Sequence, residues 1–278
     1  MDICTELDKA YTFYNDGKHG EAFATAHEAL SLIVASRRSK DMHAEELNHV
    51  KLLIGLCELS YNRLDRAAEY FIDCTVPSEE SETKLIFSWT KIATLAALVI
   101  LGSGKANRSQ IIETLTDSRK SCCKAHFDTD PFPSLRKVGK DLSECAFKNA
   151  IQGLDLVLGD DNVSCVFNEE TRNTIRQRFT DFCLEQMVTC FQAVAFQDLQ
   201  DELGISEGGL IQRLETLIAS ETGALRLYRI DMRDSRVVRV GEPSHLRTAL
   251  RNIDAAADNI RVIQLRKCVA AYDLRVGS

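Results

Sequence analysis

The sequence predicts a mainly α chain: a series of antiparallel helical hairpins, then a helix pair with short strands, then one long terminal helix. Three observations predict it. Apolar residues recur at helical spacing through the first two-thirds of the 278 residues, interrupted by short turns. The four prolines, at 77, 131, 133 and 243, fall between helical patterns and never within one. Residues 194–240 then change character, with a helix, a stop, a second helix and two short alternating runs.

In order, residues 2–15 and 20–35 form a first helical pair around the turn Asn15-Asp-Gly-Lys-His. Residues 43–60 and 64–75 form a second around Tyr61-Asn-Arg. Each second helix opens with small residues, Ala22, Ala24 and Ala26 in one and Ala67 and Ala68 in the other, which let antiparallel neighbours approach closely. This texture is similar to tetratricopeptide repeats with longer helices. Such units bury their apolar faces only by stacking, so residues 1–133 read as a TPR-like helical-hairpin solenoid. Residues 81–101 are apolar nearly all round and should form the most buried helix of this region. A loop from Gly102 precedes a helix over 109–126, and 128–133 break the chain. Residues 134–158 read as one helix with an irregular start, 160–168 as a break, and 169–191 as a long helix.

Within 194–240, an extended start at 194–196 leads into a helix with Leu199 and Leu203 on one face. Gly204 supplies the stop and Ser206 the N-cap of a helix over 207–220 that carries Leu210, Leu214, Leu217 and Ile218. The runs 225–230 and 236–240 alternate apolar and polar residues, with turn residues Asp231 to Ser235 between them. Helix, turn, helix and a two-stranded wing make a winged helix, the end of a unit spanning 134–241. Residues 242–278 hold the final helix, over 244–275, roughly 45 Å long at about 1.5 Å per residue. Its Leu246, Leu250, Ile253, Ala257 and Ile260 step by four and three, the seam of a helix that packs on other helices. Beyond Gln264 the seam shifts toward Cys268 and Tyr272.

Composition narrows the function. With 45% hydrophobic and 27% charged residues the chain is an ordinary folded protein. A net charge of −7 argues against a dedicated nucleic-acid binder, whose affinity comes mainly from neutralising phosphates. The opening Met1-Asp-Ile-Cys-Thr-Glu has neither a basic start nor an apolar core, so no secretory leader is expected there. The most apolar run, 85–101, is short for a membrane span and contains Ser88, Lys91 and Thr94, so no membrane is expected as a partner. None of the ten cysteines forms a C-x-x-C pair, and most (Cys4, Cys57, Cys74, Cys145, Cys183, Cys190, Cys268) sit in helical patterns. They read as small hydrophobes of a reduced, intracellular protein.

The motifs that could carry chemistry are incomplete. Gly102-Ser-Gly-Lys105 is half a phosphate loop, with Val99 where the first glycine belongs and Ala106 where a magnesium-binding hydroxyl belongs. His43 and His49 flank Glu45-Glu46, but their six-residue spacing does not put two zinc ligands on one helical face. Cys122-Cys123 and His126 lack a second cluster to complete a tetrahedron. No G-x-S-x-G or other activated nucleophile occurs. The expectation is therefore no catalytic residue, no metal and no cofactor.

The helix at 207–220, the major-groove reader of a DNA-binding winged helix, is acidic here, and phosphates would repel it. The wing instead carries Arg226, Arg229, Arg233, Arg236 and Arg239 against Asp231 and Asp234. It reads as a basic edge for strand-to-strand contact with another protein, through Arg226, Tyr228, Arg229, Arg236 and Arg239.

The order solenoid, winged helix, terminal helix resembles the PCI-domain family, the module shared by the proteasome lid, the COP-nine signalosome and translation initiation factor three. Asp65-Arg-Ala-Ala-Glu-Tyr-Phe-Ile-Asp73 is similar to the A-A-x-x-F stretch where that family's repeats end, and Leu142-Ser-Glu-Cys145 to its L-x-E-C helix. The stretch from Gln186 to Gly204 resembles the entry to its winged helix, and Leu210 to Ile218 with Ile230-Asp231 matches L-x-x-L-I and I-D. The likeness covers residues 2–240 in order, starts inside the solenoid without the family's usual further N-terminal helices, and lacks the polar wing signature at 231–235. Ala67-Ala-Glu-Tyr-Phe71 leans toward the lid branch, and 265–272 toward the signalosome. The resemblance implies a non-catalytic scaffold subunit of a large hetero-oligomeric complex of the cytoplasm and nucleus, supporting ubiquitin-dependent degradation. Its partners would be other PCI subunits, met edge to edge through winged helices and through a bundle of terminal helices. The signalosome, with cullin deneddylation in another subunit, is the alternative within the family; a nucleic-acid-binding winged helix is the alternative outside it.

Overall fold

The computed structural model describes residues 3–35, 44–78, 83–104, 106–116, 122–126, 128, 130–164, 166–220 and 223–240. The chain is mainly helical, and its contacts divide it into a helical unit running to Leu184, with Glu202–Gly204, and a smaller unit of Glu185–Asp201 and the described residues from Ile205 onward. The terminal seam, Leu246, Leu250, Ile253, Ala257 and Ile260, lies outside the described residues, as does His43.

In the helical unit, α1 (Ile3–Asn15) packs on α2 (His19–Ala35) and α3 (Ala44–Ser60) on α4 (Leu64–Ile72), the two hairpins read from the sequence. Each element also packs on the next in line, α2 on α3 and α4 on α5 (Trp89–Leu101). Fully buried Ala22, Ala26 and Ala29 line one face of α2, and Ala67 and Ala68 of α4, so backbones approach where no large side chain separates them. Phe71 is fully buried against α3, where a Cβ added to Gly55 would come 2.7 Å from its ring. Helix α5 buries eleven residues, Trp89 and the run Ile92 to Leu101, as its all-round apolarity predicts.

That helix starts later than the sequence suggests. Residues 83–88 are not helical: the α1 terminal Asn15 donates to Lys84 O at 2.6 Å and accepts from Ile86 N at 3.1 Å. Ser88 then caps the helix by accepting from Lys91 N. Helix α4 likewise stops at Ile72 because Thr75 is held by the Asn48 side chain and Val76 N donates to Cys122 O at 2.7 Å. Helix α6 (Arg108–Thr116) does not reach residue 126; Lys124–His126 form a 3-10 turn.

The expected helix over 134–158 is two helices, α7 (Phe132–Ser143) and α8 (Phe147–Leu158). They break at Cys145, which adopts φ +59° while Ala146 N bonds Asp141 O at 2.8 Å. A cysteine in the left-handed region carries no turn signature, so periodicity ran through it. The break over 160–168 contains one turn of helix, α9 (Asp161–Ser164), before α10 (Glu169–Thr189). Among the described residues no helix is long and apolar enough to cross a membrane.

The smaller unit follows. Strand β1 (Ala193–Ala195) leads into α11 (Phe196–Leu203), Gly204 turns at φ +67°, and α12 (Glu207–Ala219) opens with Ser206 accepting from Gly209 N. Strands β2 (Tyr228–Asp231) and β3 (Arg236–Arg239) complete it. The sheet differs from the two-stranded wing read from the sequence: β1 joins it, in the antiparallel order β1-β3-β2. Residues 225–227, read as strand, belong to a 3-10 turn over Ala224–Leu227.

Candidate protein-interaction site

The register of the small sheet decides which way each arginine points. Val194 and Ile230 both pair with Val237, and Tyr228 with Arg239. Alternation therefore places Val194, Val237, Tyr228 and Ile230 on one face, with Val194, Val237 and Tyr228 buried. The other face carries Ala193, Ala195, Arg229, Asp231, Arg236 and Val238.

The five arginines between residues 226 and 239 do not form one edge, and Arg233 is exposed in the turn between β2 and β3. Arg229 lies exposed on the edge strand β2, and Arg226 is exposed in the 3-10 turn just before it. Arg236 and Arg239 sit on β3, the central strand, which has neighbours on both sides. Arg236 is engaged within its own hairpin, 2.6 Å from Asp234 and 3.5 Å from Asp231. Arg239 shares the inward row at the strand's end, opposite Tyr228. Tyr228 itself is 6% exposed and donates its hydroxyl to Phe191 O at 3.3 Å, so it props the sheet from inside and is no contact surface.

The physical cause is a change of phase. The 3-10 turn has about three residues per turn, so Leu225 and Tyr228, three apart, both point inward, and the strand alternation starts afresh at Tyr228. Sequence reading took one unbroken alternation from Leu225 and missed this. It also missed the exposed Phe191, 54% accessible, which the helical pattern of α10 had absorbed, and the sides of β1 and β2 that pair with no other strand among the described residues. A three-residue strand whose partner lies some forty residues away leaves little local signal.

The remaining clusters are structural. Gly104 N, which a phosphate loop would offer to its ligand, donates to Asp65, and Asp65 also pairs with Arg178, which bonds Gly102 O at 3.2 Å. His126 is fully buried and bridges Thr90 (3.1 Å) and Pro77 O (2.6 Å), so both ring nitrogens are used inside the protein. Cys122 and Cys123 are buried with their sulfurs 3.2 Å apart, and burial pushes the Cys123 and Cys74 thiols well up, away from reactive thiolate. Burial raises Cys57 to about 12. Cys4, Cys145 and Cys190 are exposed, a correction to the reading of all helical cysteines as core. Among the described residues no group of three or more His, Cys, Asp and Glu could hold a metal ion.

His49 is half-buried between Tyr11, whose hydroxyl lies 2.6 Å from Nδ1, and the edge of Trp89. Burial lowers its pKa despite Glu45 and Glu46 nearby. The pair of Tyr11 and His49 joins α1 to α3 and has the geometry of a packing contact. Scanned against protein-family models and against curated proteins, the chain has no match.

Proposed function

We infer that this chain is a non-catalytic scaffold subunit of the PCI type, built as a TPR-like solenoid, a winged helix and a terminal bundle helix, and that it serves the lid of the proteasome regulatory particle. The observation that carries the reading is the β2 edge: a strand paired, among the described residues, on one side only, with exposed Arg229 on it and exposed Arg226 beside it. Such an edge takes an acidic strand from a neighbouring subunit through main-chain bonds, and the arginines set its charge preference. The helix pairs packed in chain order are consistent with stacked repeats. Residues 244–278 supply the second attachment, through the seam from Leu246 to Ile260. Acting as a subunit of such a particle, the protein works in the cytoplasm and nucleus.

Purification of the native protein followed by identification of co-purifying subunits tests this directly. Lid subunits are the expected result; signalosome subunits would move the protein to that sister complex. Removing residues 244–278 should leave a folded chain that fails to enter the lid, and normal incorporation of the truncated chain would sink the bundle assignment. Charge reversal at Arg226 and Arg229 is expected to weaken co-purification without changing helical content. Salt-dependent binding of DNA or RNA that those same reversals abolish would instead favour a nucleic-acid binder.

A further inference from the structure

A second surface, in the helical unit, is independent of the sheet edge and the terminal helix. Helices α6 and α7 touch closely where Gly139 meets Leu115 and Thr116; a Cβ there would lie 2.6 Å from Leu115 Cβ. Beside this contact runs an open groove of about 520 Å³, lined by Thr116, Pro133, Arg136, Lys137, Lys140 and Ser143. Among the described residues, three of the six that line it are cations and none is a carboxylate, on a chain whose net charge is −7. We propose that this groove binds an extended acidic segment of a partner protein.

The spacing fits that occupant. Pro133, Arg136, Lys137, Lys140 and Ser143 recur at three and four residues, so they form one stripe along α7, roughly 15 Å long at about 1.5 Å per residue. Cations three or four apart on a helix stand about 5–6 Å from one another at Cβ. In an extended peptide, side chains two apart share a face and lie roughly 6.6 Å apart, so alternate carboxylates come into register with Arg136 or Lys137 and then Lys140. Two ion pairs of the groove's cations reach outside it. Arg136 lies 3.6 Å from a fully exposed Asp128, and Lys140 lies 3.9 Å from an exposed Glu144, pairs that solvent screens and a ligand can replace. Lys137 is exposed and makes no ion pair among the described residues. A nucleic-acid strand is the poorer fit, because among the described residues no aromatic side chain lines the groove for bases to stack on.

The test is fluorescence anisotropy of the full chain with a fluorescein-labelled Glu-Ser-Glu-Ser-Glu-Ser-Glu peptide. Saturable binding at low salt is expected, weakened about tenfold when salt is raised to roughly 0.3 M. The double variant Lys137→Glu, Lys140→Glu should lose binding, while Lys148→Glu, an exposed charge on α8 outside the groove, should keep it. Circular dichroism verifies that both variants fold. No binding, equal binding by the double variant, or equal weakening by Lys148→Glu would each overturn the proposal. So would tighter binding of an oligouridylate of the same charge, lost in the same double variant.

Discussion

The helical unit and the sheet unit are held together by different amounts of core. Helix α5 buries Trp89 and ten further residues, whereas α12 buries only Leu210 and Leu214, to which the sheet adds Val194, Val237 and Tyr228 and the flanking segments add Val188, Phe196, Leu199 and Leu225. The charges differ as well. In the helical unit the buried Glu58 meets Arg63 at 3.3 Å and Arg66 at 3.9 Å, and His126 spends both nitrogens internally. In the sheet unit Arg226 and Arg229 face solvent with no carboxylate partner among the described residues. A deep core that engages Glu58 and His126 internally has little left to offer a partner. A shallow one keeps its strand edges and cations available for contact. The same contrast recurs inside the helical unit, where the α7 groove is its cation-lined exception.

Mutations can break or sharpen this contrast, and the single tryptophan, Trp89, reports selectively on the helical core. The largest effect is expected for Phe71→Ala, which empties the space between α3 and α4 and should cost about 3–5 kcal/mol in urea denaturation followed by Trp89 fluorescence. Val237→Ala, at the centre of the small sheet, should cost about 2 kcal/mol locally. Hydrogen exchange of the β2 and β3 amides reads that loss, and the Trp89 transition should stay where it was; a matching shift in both would show one cooperative core.

Ser206→Ala removes the cap on Gly209 N and should cost roughly 1 kcal/mol, visible as faster amide exchange in the first turn of α12. The smallest effect concerns pH. His49 has its pKa lowered below 6.5 in the folded state, so folding disfavours its protonation. Its contribution to stability is complete above 6.5 and is lost as pH falls from there through the folded value. His49→Gln should therefore flatten the decline in melting temperature between neutral and mildly acidic pH. An unchanged slope would assign the decline to other groups.

Much of the helical unit was legible because its turns are written in residues with strong local preferences. Asn15-Asp-Gly17 closes the first hairpin with Gly17 at φ +76°, and the Tyr61-Asn-Arg turn has Asn62 at φ +58°. Gly204 and Ser206 mark the α11–α12 turn in the same way. Where a long-range contact or a left-handed residue other than glycine or asparagine imposed the break, the sequence was silent. Asn15 holds residues 84–86 out of α5 from about seventy positions away, and Cys145 breaks α7 from α8 without a glycine or proline.

The candidate site shows the same division. Its arginines were visible as a cluster, but their directions were not. Composition, helical period and turn residues are local properties, and by themselves they determined a mainly α chain with a stop at Gly204, a cap at Ser206 and basic charge between residues 226 and 239. Only the tertiary structure made β3 the central strand, turned Tyr228 and Arg239 to the inner row, left Arg229 on an edge, and laid the cations of α7 along a groove. Strand pairing joins residues some forty apart, and its two-residue alternation reverses every side chain on a shift of one residue. A single 3-10 turn was enough to reset it.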